Sequence, residues 1–132
     1  MKSYLLMPTK EFEAYKSRTD VGEAPANISL FVFTLDTSAN ASTTGESRIS
    51  QLQTWATDNS SFTSIKLAKN TPDVVEIDGV KALHYKADGL YQQDIYLAAY
   101  RGYVYMFVSQ YDAETDMTYT AFQELLQTVT FE

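Results

Sequence analysis

Apolar positions along the chain change their period several times, and each change marks an element. Residues 27–37, NISLFVFTLDT, form a continuous apolar, β-branched and aromatic run too short for a buried helix, which predicts a buried strand. After the polar loop DTSANASTTG, Thr43 and Glu46 have capping-box spacing. Ile49, Leu52, Trp55 and Ala56 then share one helical face, so a helix is expected over 46–58. Upstream, PTKEFEAYKS reads as a short helix, with Thr9 as its cap and Glu11 and Glu13 in the first turn. A short strand is expected over 62–67.

From residue 73 the pattern is a meander, with strands at 73–77, 80–87, 90–100 and 103–111. The dipeptides Asp78-Gly79, Asp88-Gly89 and Arg101-Gly102 separate them as two-residue turns. Asp-Gly is a strong hairpin signal because both residues adopt positive φ, whereas Arg101 makes the third turn weaker. Asp112 then opens a last helix with Met117, Ala121, Phe122, Leu125 and Leu126 as its apolar stripe. The tail TVTFE alternates and is expected to return as an edge strand.

These turns fix a register. Around Arg101-Gly102, Tyr100 should oppose Tyr103, Ala98 Tyr105, Tyr96 Phe107 and Asp94 Ser109, all on one aromatic face. The other face pairs Ala99 with Val104, Leu97 with Met106 and Ile95 with Val108. Around Asp88-Gly89 the same arithmetic puts Lys81, Leu83 and Tyr85 on the aromatic face and Val80, Ala82 and His84 on the aliphatic one. His84 then opposes Gln93.

Composition narrows the function classes. With 132 residues, 45% of them hydrophobic, the chain is expected to be one domain with its own core. Its net charge of -7, with ten scattered Lys and Arg, repels phosphate backbones and anionic lipid, so neither nucleic acid nor a membrane surface is an expected partner. No apolar run is long enough to span a bilayer, and the absence of cysteine excludes disulfides, thiolate metal sites and cysteine nucleophiles.

Catalytic chemistry is sparse. The only histidine, His84, has Ala82, Lys86 and Gln93 as expected neighbours, none of them a nucleophile or an orienting carboxylate, so it reads as a strand side chain. Asp112, Glu114 and Asp116 cluster their carboxylates but lack the turn glycine and bidentate Glu of a calcium loop, and read as an acidic helix start. No metal site, cofactor or catalytic residue is expected. Glu76 and Lys81 should face each other across the first turn. The candidate binding residues are Tyr96, Tyr100, Tyr103 and Tyr105 on the aromatic face, since rings with polar tips suit a surface that alternates between water and a partner. The competing expectation is that helices bury most of them.

The run PANISLFVFTLD, a helix bearing Trp55, VEIDGVKALHYKADGLYQQDIYLAAYRGYVYMFVSQYD and a final helix closing on FQELLQTVTFE together resemble the PsbP-like domains of bacterial extracytoplasmic lipoproteins. The resemblance covers residues 25–132 and lies in element order, the Ile-x-Gly-x-x-Ala hairpin and the terminal Phe-x-x-x-Leu-x-Thr-x-x-Phe. It implies an α+β fold: an α/β/α sandwich with a central, mostly antiparallel sheet, a type shared with a Ran-binding nuclear import factor. Such domains usually begin with an aromatic hairpin and a Pro-x-x-Trp turn. MKSYLLMPTKEF offers neither, which implies an unfilled sheet edge.

Two functions of different class follow. The first is a non-enzymatic binding or assembly module, the extracytoplasmic domain of a lipoprotein whose lipid-bearing segment lies outside these residues. It would engage a protein or cell-envelope partner and be monomeric or weakly dimeric. The second is a cone-shaped enzyme of ketosteroid-isomerase type, with Asp94 as base and Tyr96 and Tyr105 as oxyanion donors in an apolar pocket.

Overall fold

In a computed structural model, which describes residues 2–6, 27–35, 45–88, 92–111 and 117–131, six antiparallel strands form one sheet with helices on both faces. The strands are β1 (Lys2–Leu6), β2 (Ile28–Thr34), β3 (Asp73–Ile77), β4 (Val80–Asp88), β5 (Gln92–Tyr100) and β6 (Tyr103–Tyr111), in the spatial order β1-β2-β6-β5-β4-β3. The helices are α1 (Gly45–Asp58), α2 (Ser60–Thr63) and α3 (Met117–Thr128), with a 3-10 turn at Ile65–Leu67. The fold is α+β, as its pattern implied.

β2 is apolar over most of its length because it contributes side chains to a core on each face of the sheet. Phe31 and Phe33 join the core under α1, with Leu52, Ala56, Leu83, Tyr85, Ile95, Leu97 and Met106. Ile28 and Leu30 join the core under α3, with Ala82, Ala98, Phe107 and Phe122. Ile49, Leu52, Trp55 and Ala56 of α1 all meet the first core, with the Trp55 ring edge-on to Phe33 at 5.1 Å. In α3, Phe122 is fully buried, whereas Leu125, expected in the apolar stripe, is exposed.

Two turns form as expected. Asp78 and Gly79 have φ of 50° and 76°, and Arg101 and Gly102 have 48° and 81°, the positive values a tight hairpin demands. Arg101 pays for its unfavourable φ in part by laying its guanidinium 5.2 Å over the Tyr100 ring. The connection between β4 and β5 differs: Asp88 pairs with Gln92, which leaves three residues between them rather than two. The loop itself is outside the described residues, but the odd shift exchanges the faces of β4. Leu83 and Tyr85 therefore meet Leu97 and Ile95 on the aliphatic face, and His84 meets Tyr96 on the aromatic one.

Three further expectations are corrected. Residues 62–67 are not a strand. Thr63 donates its hydroxyl to the Ala56 carbonyl and accepts the Tyr85 hydroxyl on its own carbonyl, which holds the chain in the α2 turn, and Ser64 follows at φ 55°. The tail 129–131 is not an edge strand either. It crosses the aromatic face, where the Phe131 ring lies 5.0 Å from Tyr100 and 5.4 Å from Tyr105, and its N–H donates to Asp78 Oδ2. Finally, the edge of β2 is not empty, because β1 pairs along it from Lys2↔Val32 to Leu6↔Ile28. The expected helix in residues 8–17 and the acidic group Asp112, Glu114 and Asp116 lie outside the described residues.

Candidate functional site

The β5–β6 register is the one the turn predicts: Tyr100↔Tyr103, Ala98↔Tyr105, Tyr96↔Phe107 and Asp94↔Ser109 all pair. All four candidate tyrosines thus share one face, but the structure does not leave them equivalent. Phe122 of α3 packs 5.7 Å from the Tyr96 ring, and the tail closes over Tyr100 and one side of Tyr105. Tyr103 remains 47% exposed. The face therefore grades from dry at Phe107 to wet at Tyr103.

Beyond the reach of α3, the described residues leave the β1–β2–β6 end of this face open. A shallow groove of about 390 Å³ runs there, lined by Lys2, Tyr4, Val32, Thr34, Tyr103 and Tyr105. Its floor is one row of the sheet, because Lys2 pairs with Val32 and Val32 with Tyr105. Thr34 and Tyr103 form the neighbouring pair on one side. Sequence reasoning found Tyr103 and Tyr105 but missed Lys2, Tyr4, Val32 and Thr34. β1, KSYLL, has no period-2 alternation and only the short apolar run YLL, and nothing local said which strand it would join.

A second cluster lies deeper on the same face. The β4 shift brings His84 Nε2 within 2.5 Å of Asp94 Oδ1, so the carboxylate that sequence reasoning found missing is present. The imidazole stacks on Tyr96 at 4.2 Å and 16°. Gln123 of α3 donates Nε2 to Asp94 Oδ2 at 3.2 Å, so both carboxylate oxygens are engaged and Asp94 is only 1% exposed. The Tyr96 phenol is pushed up to about 12, first by burial and then by the Asp94 charge. Across the sheet the order is His84, Asp94, Ser109, with the carboxylate in the middle. Acyl transfer would need the histidine there, between nucleophile and acid. Ser109 Oγ is buried with no hydrogen-bond partner among the described residues.

On the opposite face, burial raises the Tyr85 phenol well above its ordinary value, and its hydroxyl is spent on the Thr63 carbonyl. Glu76 and Lys81 oppose each other as expected, both exposed. Among the described residues no group of three or more His, Asp or Glu side chains is placed to hold a metal ion, and no helix is long and apolar enough to cross a membrane. Comparison with family models, with curated proteins and with solved structures returned no match.

Proposed function

We propose that this protein is a non-enzymatic binding or assembly module that engages a protein or cell-envelope partner through the open groove beside Tyr103 and Tyr105. One observation carries the reading: Tyr4 and Tyr103, at 58% and 47% exposure, flank a groove on the part of the tyrosine face that α3 leaves uncovered. Aromatic rings with polar tips left in water beside a concavity are the usual ingredients of a recognition surface. The ketosteroid-isomerase-type alternative is less well supported. Its base would be Asp94, which is buried and has both oxygens occupied by His84 and Gln123, so it is poorly placed to reach a substrate proton. Placement outside the cytoplasm, with a lipid anchor beyond these residues, rests on the resemblance to PsbP-like domains. Protease accessibility in intact cells tests it.

The binding surface is tested by installing a photo-crosslinking phenylalanine analogue at Tyr103 and, separately, at Phe62, an equally exposed aromatic residue under the α1 face. A discrete adduct from position 103 and none from 62 is expected in cells. Adducts from 62 alone, or from neither, would remove the groove as the contact surface.

A further inference from the structure

The groove's lining is chemically selective. The chain carries 17 acidic residues and a net charge of -7, yet among the described residues the groove is lined by no carboxylate, and Lys2 is the one charged side chain there. The other lining groups are the hydroxyl-bearing Tyr4, Thr34, Tyr103 and Tyr105, and Val32 at the centre of the floor. A cation would meet the Lys2 ammonium with no counter-charge. A polyanion would be repelled by the field of the whole molecule. Four hydroxyl-bearing side chains favour a ligand with hydrogen-bonding groups of its own over a purely apolar one. Together these features favour a small ring with hydroxyl groups and one negative charge.

Geometry gives that ligand a pose. Neighbouring strands lie about 4.8 Å apart, so the row Lys2–Val32–Tyr105 spans roughly 10 Å between its outer backbones, room for a single six-membered ring over Val32. The Tyr103 and Tyr105 rings meet at 59° with centroids 6.5 Å apart, forming a bent aromatic wall on the β6 side. At about 390 Å³ the groove is at the small end of ligand sites, which run from roughly 300 to 1,000 Å³.

We propose that this groove binds a single acidic sugar residue, with the carboxylate on the Lys2 ammonium, the ring face against Tyr103 and Tyr105, and the ring hydroxyls shared with Thr34 and Tyr4. The inference rests on the groove being the module's binding surface. It names the ligand chemistry: a uronic-acid-type sugar, such as one at the end of an envelope glycan. The charge-assisted contact to Lys2 sets the preference for acid over neutral sugar.

Titration of the labelled protein with the methyl glycoside of glucuronic acid, followed by amide shifts on β1, β2 and β6, tests this directly. The glucuronoside should saturate and bind about fivefold or more tightly than methyl glucoside, the neutral counterpart. Lys2→Gln should reduce the acid sugar to the level of the neutral one, and Tyr103→Ala should abolish the response to both. Lys2 and Tyr103 are exposed, and far-UV circular dichroism checks that the variants keep the fold. Equal affinity for the two sugars, binding that survives Tyr103→Ala, or tighter binding of phenylacetate, a ring and carboxylate without hydroxyls, would each overturn the proposal. Crosslinking from position 103 with no glucuronoside binding would leave the module reading standing and remove only the sugar. Failure of both would remove both.

Discussion

His84 Nε2 and Asp94 Oδ1 are 2.5 Å apart although the two residues are not cross-strand partners: His84 pairs with Tyr96 and Asp94 with Lys86, so the bond runs diagonally between β4 and β5. Gln123 completes the carboxylate from above, which makes Asp94 a tie between the sheet and α3. Removing the imidazole would leave a buried charge with one partner. His84→Ala is therefore expected to cost about 3 kcal/mol in urea denaturation at neutral pH. A double-mutant cycle with Asp94→Ala should return a coupling of roughly 1.5–3 kcal/mol. A single-mutant cost below about 1 kcal/mol would mean the pair is not holding the layers together.

The wet-to-dry grading along β6 sets a second expectation. Phe107, 5% exposed, fills the core beneath α3, and Phe107→Ala should cost about 3–5 kcal/mol. Tyr103→Ala should cost under about 1 kcal/mol, since the ring is half in water. Tyr100 lies between them, because Phe131 covers it, and Tyr100→Ala should fall between the two values. Equal losses at 103 and 107 would contradict the cover assigned to α3.

The alkaline limb of stability should carry the signature of Tyr96. Burial pushes its phenol up to about 12 in the folded protein from an ordinary value of 10.0, so the unfolded chain releases its proton first. The folded-state pKa is raised, so the Tyr96 contribution is full below pH 10 and is lost as pH rises toward about 12. Tyr96→Phe should flatten the decline of the melting temperature across that window. A wild-type curve that is flat from pH 10 to 12 would contradict the burial of this phenol.

At the β5–β6 turn, Gly102 has φ of 81°, and a methyl group placed on it would meet nothing within 4 Å. Any cost of Gly102→Ala is thus backbone strain alone, about 1–2 kcal/mol by denaturation, and Gly102→Asn should cost less because asparagine tolerates this region. An alanine variant as stable as the parent would show that the turn relaxes to another type.

Alternation and turn chemistry carried most of the fold. β3, β6 and the start of β4 fall where the pattern puts them, and the β5–β6 pairing follows from Arg101-Gly102 despite its arginine. What local pattern could not supply was parity. Asp88-Gly89 looked like a two-residue turn, and one extra residue in that connection moved His84 from beside Gln93 to beside Tyr96 and Asp94. The deep polar cluster was illegible for that reason alone. The groove was half legible: Tyr103 and Tyr105 follow from register, whereas Lys2, Tyr4, Val32 and Thr34 depend on where β1 and β2 attach, a pairing between strands distant in sequence.

The strand order also bears on how the chain is made. β2, ISLFVFT, holds the apolar run LFVF, and its neighbours are β1 and β6, so Ile28 waits for Ser109 and Phe33 for Val104. On the ribosome, the meander from β3 to β6 closes through short hairpins as it emerges, whereas β2 leaves the exit tunnel long before β6 has been synthesised. For that interval the nascent chain holds a seven-residue, uncharged, β-prone segment with no strand to close it on the β6 side. Slow translation between β2 and β6, or a destabilised β6, should therefore favour aggregation seeded by residues 28–34, and a charge placed at Val32, which is only partly buried, should relieve it.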